Sequence, residues 1–153
     1  MPGLTTASPR QEISMRNASL SAQSPGASGS VTVRWLALLA LCSAYLQGGL
    51  VKLLDFPGAI AEMQHFGLSP AAPMAAAVIA LELGASLMIL SGRGRWLGAL
   101  ALALFTVAAT FMANRFWQVP VTERGGVMNG FFEHLGLAGA LVYVAWHDRR
   151  AAK

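Results

Sequence analysis

The chain has 153 residues, 55% hydrophobic and only 12% charged, with a formal net charge of +4, whereas a soluble globular chain carries about 25% charged residues. That balance excludes an ordinary water-soluble domain. Most of the cations flank apolar runs and none gather in a stripe with interleaved aromatics, which excludes a nucleic-acid surface, and the single cysteine, Cys42, excludes an internal disulfide or dithiol centre.

Residues 1–30 are rich in Ser, Ala, Gly and Pro and hold no apolar run, so they are expected to form a disordered cytoplasmic tail. The first apolar run follows at 35–51. Leu41 is too bulky before Cys42 for lipoprotein cleavage, so this run reads as a retained signal anchor. Asp55-Phe56-Pro57 then opens a short helix that Gly67 closes, proline suiting a first turn and glycine a stop. Ala59, Met63 and Phe66 recur at i, i+4 and i+7, leaving Glu62, Gln64 and His65 on other faces, the pattern of an interfacial helix. Further apolar runs occupy 71–90, 96–113 and 131–146; each is close to the ~20 residues that cross a ~30 Å hydrocarbon core. Between them lie a tight basic turn at 91–95 and a longer mixed connector at 114–128, with Phe116-Trp117 as an interface anchor and Glu123-Arg124 as an exposed pair. The expected fold is all-α: an integral membrane four-helix bundle over 31–148, a short interfacial helix between spans one and two, and a basic cytoplasmic tail at 149–153.

Orientation follows from charge. With both termini cytoplasmic, eight cations (Arg10, Arg16, Arg34, Arg93, Arg95, Arg149, Arg150, Lys153) lie inside against three (Lys52, Arg115, Arg124) outside. Trp35, Trp96 and Trp146 fall at inner boundaries and Trp117 at the outer one, as an aromatic belt requires. The implied location is the cytoplasmic membrane, multi-pass.

The sharpest functional signal is Glu82, alone in its apolar run. A carboxylate at the centre of a span costs about 2.5–3.5 kcal/mol to insert and needs a partner or a task. Counting depth at ~1.5 Å per residue places Tyr45 and Gln47 of span one near its level, Lys52 above them and Thr106 at mid-depth of span three. Glu82, Gln47, Tyr45 and Lys52 therefore form a candidate intramembrane polar site, with Gln47 or Tyr45 as the expected hydrogen-bond partner. His134, Glu133, Arg115 and Trp117 form a candidate polar site on the outer side. Small residues spaced by four, Ala80/Gly84, Gly94/Gly98 and Gly136/Ala140, mark faces where helix backbones could approach. For a metal, Glu62 and His65 have the Glu-x-x-His spacing of bundle di-iron sites, and His134 shares their side. The second half of such a site is missing, because the adjacent Glu133 and His134 splay by about 100° on a helix, so no metal site is assigned. No phosphate loop or nucleophile elbow is present.

Several fragments, in order, carry a resemblance: Gly48-Gly49-Leu50-Val51-Lys52-Leu53, Phe56-Pro57-Gly58, Phe66-Gly67-Leu68-Ser69-Pro70, Glu82 with Gly84, Asn114 to Pro120 with Glu123-Arg124, and Asn129-Gly130-Phe131-Phe132 leading to Leu135-Gly136-Leu137-Ala138-Gly139. Across about residues 33–147 they resemble DoxX-type small membrane proteins. Where that family commonly reads Phe-x-Lys-Asn, this chain has Phe132-Glu133-His134, a departure at the basic position. The resemblance implies an association with quinol oxidase and thiosulfate:quinone chemistry. The leading expectation is a non-catalytic accessory subunit or scaffold of a quinone-linked redox or stress-response system, embedded in lipid beside redox-complex subunits or further copies of itself. It carries no complete cofactor motif, and a quinone head is the candidate ligand. A small transporter or channel using Glu82 as a proton or cation site, and a quinone-reactive oxidoreductase, are the alternatives.

Overall fold

The computed structural model describes Arg10 and residues 26–151, with side chains placed from residue 31 to residue 150. The expected disordered tail lies largely outside the described residues. Five helices follow one another: α1 (Gly26–Leu54), α2 (Phe56–His65), α3 (Ala71–Ser91), α4 (Arg95–Ala113) and α5 (Val121–Ala151). All but α2 contain a segment long and apolar enough to span a membrane, at Val31–Leu54, Ala71–Ser91, Arg95–Ala113 and Val121–Arg150. The chain divides into two units, Met1–Leu36 and Ala37–Lys153. In the first, Val31, Val33, Trp35 and Leu36 on the early turns of α1 are exposed. The second unit contains the bundle and every site discussed below.

The linking segments are built by local chemistry. Asp55 caps α2, its carboxylate accepting from the Gly58 amide at 3.0 Å, which satisfies one of the unpaired N–H groups of a first helical turn. Pro57 occupies the first turn of α2, where its missing N–H costs nothing. Gly67 (φ 70°) then reverses the chain in a conformation that disfavours any residue with a Cβ. Between α3 and α4, Gly92 and Gly94 adopt φ of 80° and 66° in the tight turn expected at 91–95. Arg95 secures that turn: its Nε donates to the Ile89 carbonyl at 2.8 Å and its guanidinium lies 3.3 Å from Asp148 on α5.

The main core joins Leu38, Cys42 and Tyr45 of α1, Ala85 and Ile89 of α3, Ala99, Leu102 and Ala103 of α4, and Leu141 and Ala145 of α5. A smaller cluster seats α2 on α3 through Ala59, Met63 and Ala75. Ala59 and Met63 are buried as their spacing predicts, so α2 is an amphipathic helix packed on the bundle.

Two expectations are corrected. The connector expected at 114–128 is much shorter, because α5 already starts at Val121. The Glu123 and Arg124 amides donate to the Pro120 carbonyl at 3.0 Å, and an acidic Glu123 in a first turn complements the helix dipole. This start outweighs Gly125-Gly126, which read as a loop. At 31 residues, α5 is about 46 Å long and exceeds the hydrocarbon thickness. Of the three expected close approaches only Gly94/Gly98 meets a neighbouring helix, and Gly49 adds one that was not expected. A Cβ at Gly98 would meet the Ala85 carbonyl oxygen at 2.7 Å, and one at Gly49 would meet the Leu83 side chain at 2.8 Å. By contrast, a Cβ at Gly84 or Gly136 would meet nothing within 4 Å. Among the described residues the Ala80/Gly84 and Gly136/Ala140 pairs are therefore not packing seams, since a small residue matters only where a neighbouring helix crosses it.

Candidate functional site: a buried acid–base group in an apolar cavity

Tyr45, Gly48 and Lys52 lie at i, i+3 and i+7 along α1, so one stripe of that helix presents all of them to a common space. Opposite them stands Glu82 of α3, 6% exposed. The Lys52 ammonium is 3.5 Å from Glu82 Oε2 and 3.9 Å from Glu62 Oε2 on α2. Two carboxylates thus share one cation. Glu82 Oε2 is buried and accepts no hydrogen bond, so its compensation is electrostatic only. A Cβ at Gly48 would stand 3.6 Å from both Glu82 oxygens and from Lys52 Nζ. The glycine leaves the ion pair uncovered on that side.

Above and beside this group opens a cavity of about 670 Å³, lined by residues of all five helices and within the ~300–1,000 Å³ of small-molecule sites. Its walls are chiefly apolar, from Met63, Leu68, Met74, Leu81, Phe105 and Met112, while Tyr45, Lys52, Glu62, Glu82, Thr106 and His134 supply its polar groups. The Thr106 hydroxyl donates to the Leu102 carbonyl at 2.6 Å, so Tyr45 must donate to Thr106 Oγ1 across the bundle. His134 Nδ1 lies 2.6 Å from the Gly130 carbonyl, which can only accept, so Nδ1 bears a proton and donates it there. Below Glu82 the bundle is closed, with Cys42, Ser86, Ile89, Leu102 and Leu141 fully buried.

Of the four residues proposed at the intramembrane site, the structure gathers Tyr45, Lys52 and Glu82 and leaves Gln47 exposed on another face of α1. The expected hydrogen bond from Gln47 or Tyr45 to Glu82 is thereby corrected. Lys52 is the partner, because its flexible four-carbon stem reaches down from the end of α1, and Tyr45 is committed to Thr106. The outer-side group does not form one site. His134 lines the cavity, Glu133 is exposed, and Arg115 donates to the Phe111 carbonyl at 3.0 Å. Trp117 instead joins an aromatic group with Phe116 and Phe131, at ring distances of 5.0 and 5.9 Å. Glu62 and His65 part company as well: Glu62 turns to Lys52, and His65 borders a separate recess with Arg115 and Gln118. Among the described residues no three His, Cys, Asp or Glu side chains gather as metal ligands. The sequence reading missed Glu62 as a partner of Lys52 and Gly48 as the gap beside it. Their only signal was position, Gly48 four residues before Lys52.

A four-span membrane bundle with an apolar cavity beside a buried acid–base group is the class of protein that fold and site define. The DoxX family model matches residues 35–115, more than half of the chain, and the chain belongs to the DoxX family. The match takes in α2, α3, α4 and every cavity residue named above except His134 and those of α5. No curated protein and no solved structure matches the chain.

Proposed function

We propose that this DoxX-family protein is an accessory subunit of a quinone-linked redox system in the cytoplasmic membrane, holding a lipid-soluble quinone-class carrier in its cavity. The carrying observation is the cavity itself: about 670 Å³, apolar over most of its wall, with the Glu82–Lys52 pair among its lining. An isoprenoid or alkyl body suits the Met, Leu and Phe walls, and a polar ring suits the charged pair. The reading assigns no reaction to the chain alone. Reduction or oxidation of the carrier would belong to partner subunits or to further copies of the chain.

The packing below Glu82 favours a binding cavity over a transport path. A conduit for protons or cations needs polar groups or water along its length, whereas the described residues beneath Glu82 form a filled apolar core around Ser86, whose hydroxyl is tied to the Glu82 carbonyl at 2.6 Å.

The test is extraction. Protein purified from native membranes in mild detergent is extracted with organic solvent and assayed for quinones, while native mass spectrometry reads the intact assembly. Near-stoichiometric quinone, together with co-purifying redox subunits, is expected. Protein that carries neither would overturn the reading.

A further inference from the structure

The polar groups around the cavity are short of donors. The Thr106 proton is spent on the Leu102 carbonyl, the Tyr45 proton on Thr106, and the His134 Nδ1 proton on the Gly130 carbonyl. What remains is acceptor capacity: the Tyr45 oxygen, Glu62, and above all Glu82 Oε2, which is 94% buried with its residue and accepts no hydrogen bond. Lys52 is the exception, and it stands between two carboxylates. With Glu62 and Glu82 ionised and Lys52 protonated, the three groups sum to one negative charge. A carbonyl oxygen approaching Lys52 would bring partial negative charge beside both carboxylates. A hydroxyl would instead give the Glu82 oxygen, ion-paired with Lys52 but without a hydrogen bond, a donor in a low-dielectric site, where a hydrogen bond to a charged acceptor is strong. A second ammonium there would meet Lys52 as a like charge.

We propose that the cavity selects an amphipathic molecule whose head donates hydrogen bonds through a hydroxyl, with Glu82 Oε2 as the acceptor. Of a redox pair that differs by two hydrogens, it therefore holds the dihydroxy form in preference to the dione. The redox-pair statement rests on the quinone-class reading above, while the donor requirement rests on hydrogen-bond geometry alone.

Two probe pairs separate these layers. Isothermal titration of the full-length protein in detergent compares an alkyl hydroquinone with its quinone, and 4-nonylphenol with its methyl ether, which differs in lacking the O–H. Each donor form is expected to bind about tenfold tighter or better. A tenfold preference would raise the potential of the bound two-electron couple by about 30 mV. In Glu82→Gln the amide supplies an N–H, so both preferences should shrink to about threefold or less. Circular dichroism and gel filtration establish that this variant is folded, and the wild-type comparison stands without it. Affinities equal within each pair, or tighter binding of the quinone and the ether, would overturn the proposal. So would a preference undiminished in folded Glu82→Gln. If the phenol pair discriminates and neither quinone form binds, the donor requirement stands and the quinone-class reading falls. If both quinone forms bind equally and the phenol pair does not discriminate, the reverse holds.

Discussion

Lys52 compensates two carboxylates, and the more deeply buried of them has no hydrogen bond to fall back on. Removing one member of a buried ion pair strands the other charge and typically costs about 3–5 kcal/mol, whereas replacing both members with apolar groups is often neutral. Lys52→Met should therefore lower the thermal unfolding midpoint in detergent well below that of Lys52→Met/Glu82→Leu. A double variant no more stable than the single one would show that the pair does not act as a unit. Gly48 offers a second test at this scale. Its missing side chain would stand 3.6 Å from the pair, which is ordinary contact distance, so Gly48→Ala should keep both fold and ligand binding. Gly48→Leu places further atoms in the cavity and should abolish binding while the protein stays folded, as titration and gel filtration would report.

Among the helices, glycine has two different meanings. Gly49 and Gly98 lie where another helix crosses, against Leu83 and the Ala85 carbonyl, whereas Gly84 and Gly136 face open space. Overpacking a tight contact costs about 1–3 kcal/mol. Gly98→Val should thus destabilise the bundle by at least that much, since its obstacle is backbone, while Gly84→Val should change stability far less. Thermal unfolding of the two variants side by side checks this, and equal losses would contradict the crossing geometry. The sequence motif alone could not separate them, because all four glycines sit in similar apolar surroundings and only the rotation of each helix decides which one meets a neighbour. The same limit hid the start of α5. Its first turns mix Glu123, Arg124 and two glycines with apolar residues, so no periodic stripe announced a helix there.

For the molecule as a whole, charge distribution carries the orientation proposal. The proposal that both termini lie in the cytoplasm rests on eight cations against three and on the tryptophan positions, with an even number of candidate spans putting the two termini on one side. Reporter fusions at Lys153 and at Arg93 should be active only in a cytoplasmic assay, and one at Thr122 only in an external assay. The opposite pattern would invert the arrangement and put the α2 end of the bundle, with its cavity, on the cytoplasmic side.

By itself the sequence determined the four long apolar helices, the short helix capped by Asp55 and the tight glycine turn, because length, hydropathy and capping are local properties that neighbouring residues settle among themselves. It also singled out Glu82, since an isolated carboxylate in a span is conspicuous in any arrangement. Tertiary structure alone decided that Lys52 and not Gln47 would meet it, that Glu62 would share the cation, and that Tyr45 would turn to Thr106. Those outcomes depend on helix rotation and on the packing of α2 against α3, and one chain's pattern of small and apolar residues is compatible with several rotations until the helices pack together.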